Sequence, residues 1–92
     1  MASAAEMKKF VSESAESELR FIWQDKEVDL EAQYHMCKAR LTTIARFGEI
    51  EDEKEAFKKT ISEICHLDLA TIDHKIVMSD IASSWKAARS LG

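Results

Sequence analysis

The sequence predicts an all-α protein: a small bundle of five helices closed by one long C-terminal helix. Three observations carry this. The 92 residues include no proline and two glycines, Gly48 and Gly92, and no Asn-Gly or Asp-Gly pair is present to turn a β-hairpin. Apolar residues make up 46% and charged residues 33%, in a chain rich in Ala, Glu, Lys, Ile and Leu, which is a helical and globular balance. Ile72, Ile76, Val77, Ile81, Trp85 and Ala88 recur at steps of mostly three to five residues, the longest stretch with one helical period. The shorter segments before it need such a partner to bury their own apolar faces.

In chain order, Ser3 and Glu6 form a capping-box pattern, so a helix starts at once. Its face is Met7, Phe10 and Val11. A second face, Leu19, Ile22 and Trp23, follows a serine-rich interval that offers local caps and costs helix propensity. The interval reads either as part of one long helix to about Gln24 or as a break near Ser14, and the break divides the chain into an N-terminal arm, 1–14, and one helical domain, 15–92. Asp29 is the N-cap of a helix whose apolar face is Leu30, Tyr34, Cys37 and Leu41. Thr42 or Thr43 caps a very short helix, Ile44 to Phe47, which Gly48 is expected to stop in the left-handed conformation. Asp52 to Glu55 repeats the capping-box pattern ahead of Phe57, Ile61, Ile64 and Cys65. His66 is expected in a left-handed cap, because His is among the non-glycine residues that tolerate one. Thr71 caps the last helix; Asp73 suits its first turn, and Lys86 and Arg89 its last.

Residues from Leu19 onward resemble a short helical module found in dinoflagellate algal sequences. The resemblance rests on Val28-Asp29-Leu30-Glu31-Ala32-Gln33, Thr42-Thr43-Ile44-Ala45-Arg46-Phe47, the Phe57 to Ile64 helix, Leu67-Asp68, and Ile81 with Trp85-Lys86-Ala87-Ala88. Members carry Gly at the positions of Arg40 or Leu41 and of His66. The order of short helices before one long one is also similar to the sterile-alpha-motif (SAM) arrangement, which implies protein–protein contacts at the level of fold.

For function, the formal charge of −4 argues against general affinity for phosphate backbones. No run has the length of a membrane span or of a signal-peptide core. Cys37 and Cys65 read as reduced, small core residues of an intracellular protein. His35, His66, His74 and the two cysteines show no metal-ligand spacing, and no glycine-rich phosphate loop is present, so neither metal nor cofactor is expected. The carboxylates fall in first turns and on polar faces, where they stay solvated, and no catalysis is expected. The reading that remains is a non-catalytic protein–protein interaction module, an adaptor or a self-associating unit, contacting another protein or its own copy through Tyr34, Met36, Arg40, Arg46 and Glu49. Trp23 and Met36 are large side chains for which burial in the core is the leading reading, more weakly for Met36, with exposure on a contact patch as the other. The alternative is a nucleic-acid-binding helical domain using Lys38, Arg40, Arg46, Lys58 and Lys59.

Overall fold

A computed structural model describes residues 2–91; Met1, which begins the expected arm, and Gly92 lie outside the described residues. Six α-helices are present among them: α1 (Ala4–Ser14), α2 (Ser17–Asp25), α3 (Leu30–Lys38), α4 (Ile44–Glu49), α5 (Lys54–Cys65) and α6 (Ile72–Leu91). The count exceeds the five expected because the N-terminal segment is a full helix of the bundle. Ser3 and Glu6 close the capping box as their spacing predicts. Val11 is buried in the common core, and the Phe10 ring meets Tyr34 of α3 edge-on at 5.5 Å.

The break after Ser14 is held by tertiary hydrogen bonds. Glu16 is extended; its backbone N–H donates to the Thr42 carbonyl at 2.9 Å, and its carboxylate accepts the Ile44 N–H at 2.7 Å. Glu16 thus satisfies an orphan amide of α4, 28 residues away, while Thr43 caps Arg46 N–H at 3.0 Å.

Three helices end in the same way. The chain turns left-handed at Glu27, Arg40 and His66, with φ of 56°, 68° and 56°. After α2 the Val28 N–H reaches the Trp23 carbonyl, after α3 the Leu41 N–H reaches Met36, and after α5 the Leu67 N–H reaches Ser62, all at 2.9–3.0 Å. These are Schellman-type closures, in which a residue past the helix satisfies the last turn's carbonyls. His66 therefore behaves as its position predicts. Gly48 does not: no glycine among the described residues has positive φ, and Gly48 lies inside α4. It is buried against α6, where an added Cβ would meet Arg89 Cγ at an ordinary 3.6 Å. The second expected capping box fails too, because α5 starts at Lys54 behind Glu53, which makes no side-chain cap.

The core is threaded by four aromatic rings. Trp23 packs edge-on against Phe47, Phe47 edge-on against Phe57, and Phe57 stacks on Trp85 with centroids 4.4 Å apart. Leu19, Met36, Ile61 and Ile81 fill the space around them. α3 lies between α1 and α5, so it buries two sides, and its deeply buried residues are Ala32, Gln33, Met36 and Cys37 rather than the single expected stripe. Gln33 satisfies its burial by donating to the Val28 carbonyl at 2.8 Å. On α6, burial falls on Met78, Ile81, Ala82, Ser84, Trp85 and Ala88, while Ile72 and Ile76 are exposed.

Candidate interaction surface

The left-handed turn at Arg40 ends α3 abruptly and sends the chain back towards α4, leaving a groove of about 480 Å³ between the two. It is lined by the small or apolar Ala39, Leu41, Ala45 and Ile50, of which Leu41 is buried, Ile50 half-buried and the two alanines exposed, and by the charged rim residues Arg40, Arg46 and Glu49. All three rim residues are exposed. Arg46 Nη1 donates to the Arg40 carbonyl at 3.5 Å, so one guanidinium bridges the end of α3 and the first turn of α4. Three of the five residues chosen from sequence therefore share one groove.

The other two have different roles. Met36 is fully buried, because α3 is covered on two sides, and it cannot contact a partner. Tyr34 is half-buried beneath Phe10 on one side and Lys38 on the other, whose ammonium lies 5.2 Å from the ring centre; it docks α1. Trp23 is fully buried as well. The exposed large side chains that periodicity misses are Phe21, Ile72, Ile76 and Leu91. Phe21 lies off the Leu19–Ile22–Trp23 face, which is its only signal in the sequence.

The cations of the nucleic-acid reading are divided. Arg40 and Arg46 line the α3/α4 groove, whereas Lys58 lines a second groove between α5 and α6. That second groove, of about 530 Å³, also takes Lys54, Lys75 and Lys86.

The three histidines, far apart in sequence, gather around one pocket of about 480 Å³ with Asp29, Glu31 and Cys65. His35 meets His66 edge-on at 5.1 Å, and its Nε2 lies 3.7 Å from a Glu31 carboxylate oxygen. His74 Nδ1 accepts the Asp68 backbone N–H at 2.7 Å, which pins the loop between α5 and α6. Spacing along the chain gave no sign of this cluster. Among the described residues no three His, Cys, Asp or Glu side chains are placed to hold a metal ion. His74 is committed to backbone capping, and Cys65 Sγ faces the Ala32 carbonyl at 3.6 Å.

Both cysteines are free and buried. Burial pushes the Cys37 thiol up to about 11. Burial, with the nearby Asp29 carboxylate, pushes Cys65 to about 12. Neither is a thiolate nucleophile in the folded state.

No helix among the described residues is long and apolar enough to cross a membrane. Comparison with protein-family models, curated proteins and solved structures gives no match for the chain.

Proposed function

We infer that this protein is a non-catalytic interaction module that binds another protein through the groove between α3 and α4. The observation that carries this reading is the gathering of Arg40, Arg46 and Glu49 around the small and apolar side chains of Ala39, Leu41, Ala45 and Ile50. An apolar centre with a charged rim is the anatomy of a protein contact patch, and arginine is favoured there over lysine. Two cations and one carboxylate of fixed order select a partner with the opposite order, which sets register and encounter rate more than affinity. Short helices leading to one long helix, as in SAM-like folds, support the same reading at the level of architecture. The buried thiols suit an intracellular setting.

The test is capture of binding partners on immobilised protein, comparing the wild type with Arg46→Glu/Glu49→Arg. The reversed pair is expected to lose at least tenfold of a partner that Lys75→Glu, changed in the other groove, retains. The same proteins held equally by all three would refute the reading. Sedimentation over a concentration series tells whether the partner is a second copy.

A further inference from the structure

We propose that the groove between α5 and α6 is a binding site for an anion carrying several phosphates. Lys54 and Lys58 stand one turn apart on α5, and Lys75 and Lys86 stand on α6, all lining the same groove. Glu55 is the single carboxylate of the lining, so the groove carries a local excess of three positive charges in a chain whose net charge is −4. Among the described residues none of the four ammonium groups lies within 4.0 Å of a carboxylate oxygen. The side-chain ion pairs within 4.0 Å among the described residues are Lys26 with Asp25 and His35 with Glu31.

The spacing on α6 defines what fits. Lys75, Ser79, Ala82 and Lys86 follow at steps of four, three and four, one face of the helix, with Ser83 beside them. Eleven residues of helix place the two lysines ~16 Å apart along the axis. The interval between them is floored by small side chains, and the Ser79 and Ser83 hydroxyls are free of hydrogen bonds to other described residues. A single phosphate meets the ammonium at one end of this row; a chain or ring of phosphates meets both once the flexible lysine stems lean towards each other. The lining contains no arginine, whose planar fork matches a carboxylate or one phosphate edge, and its lysines act as separate point charges suited to charge spread over many oxygens. It contains no aromatic ring on which a base could stack, which separates it from a single-stranded nucleic-acid track. A volume of about 530 Å³ is in the range of small-ligand sites. This site is separate from the α3/α4 groove and stands whether or not that groove binds a protein.

Titration calorimetry of the full chain at low salt tests it, with sodium tripolyphosphate as the soluble probe and vesicles containing a bisphosphorylated inositol lipid as the membrane probe. Tripolyphosphate is expected to bind one to one, at least tenfold tighter than orthophosphate, with affinity falling as salt rises. Lys75→Glu/Lys86→Glu loses at least tenfold and Lys75→Gln/Lys86→Gln a smaller factor, while Lys26→Glu/Lys38→Glu, outside the groove, stays within twofold. Thermal unfolding of each variant establishes that it is folded. Binding to both probes with this pattern identifies a lipid headgroup as an accessible source, and binding to tripolyphosphate alone identifies a soluble ligand; each supports the site. Absence of saturable tripolyphosphate binding, equal binding by the Lys75/Lys86 variants, or tighter binding of a polyglutamate peptide or an oligonucleotide at equal charge overturns it.

Discussion

Ile76 and Trp85 lie on one helix, and both fall on the apolar stripe that marks α6 in the sequence; Ile76 is 55% exposed and Trp85 is 4% exposed. The helical period is the same at both ends, so the difference lies in what runs alongside. α6 as a whole packs on α2, α4 and α5; in its C-terminal half Trp85 stacks on Phe57 of α5, and Arg89 ties that end down by donating to the Gly48 carbonyl at 2.8 Å and the Glu51 carbonyl at 3.2 Å while lying over the Trp85 ring. At 20 residues α6 is ~30 Å long, close to the 31 Å extent of the whole molecule. The shorter helices beneath it cover only part of that length. Periodicity identifies a face; burial depends on how far the neighbours extend.

The sharpest way to break this comparison is to truncate each end of the stripe. Trp85→Ala removes a ring stacked on Phe57 and is expected to destabilise the fold by ~3–5 kcal/mol in urea unfolding, the usual cost of a large aromatic cavity. A loss below ~1 kcal/mol would show that the C-terminal half is not the anchor described.

The next effect is set by pH. Cys37 and Cys65 are neutral in the fold up to about 11 and about 12, against an ordinary value of 9.0. Above pH 9 the unfolded chain loses these protons and the folded one keeps them, so their contribution to stability is constant below about pH 9 and declines from there to about 11–12. Unfolding curves at stepped alkaline pH should show the decline, and Cys37→Ala/Cys65→Ala should flatten it relative to its own neutral-pH stability. An unchanged slope would place the thiols in contact with water.

Smaller gains are expected where backbone and residue type disagree. Arg40→Gly and His66→Gly relieve left-handed strain, partly offset by a freer unfolded chain, for a net gain of ~0.5–1 kcal/mol each by thermal unfolding. Gly48→Ala should gain ~0.5–1 kcal/mol from helix propensity, since the added Cβ meets Arg89 Cγ at an ordinary 3.6 Å. A loss in that variant would mean that α4 and α6 are already in full contact. At the low end, Ile72→Ala and Ile76→Ala are expected to stay within ~0.5 kcal/mol of wild type.

What was legible in the sequence follows the same division between local and distant causes. The caps at Ser3, Asp29, Thr43 and Thr71 were readable because each bonds an amide three residues away. The left-handed His66 was readable for a similar reason, whereas the serines before Glu16 allow both a break near Ser14 and one helix to Gln24, and the bonds of Glu16 to Thr42 and Ile44 decide for the break. The Glu16 carboxylate on Ile44, the burial of Gly48 against α6, the burial of Met36 between α1 and α5, and the four lysines of the α5/α6 groove all arise from contacts between segments distant along the chain. Of the candidate site, the exposure of Arg40, Arg46 and Glu49 was legible because charged residues at helix ends and starts stay in water. Tyr34 and Met36 were misplaced because the stripe on α3 was read as one-sided.

Residue-resolved native-state hydrogen exchange tests the division of α6 most directly, since the amides of both halves are bonded within the same helix and differ in what covers them. The account predicts that amides from Ile81 to Ala88 exchange only through global unfolding, while those of Ile76 and Val77 open at a free energy lower by several kcal/mol, on the order of the gap between a frayed segment and a core helix. Equal protection along all of α6 would contradict it.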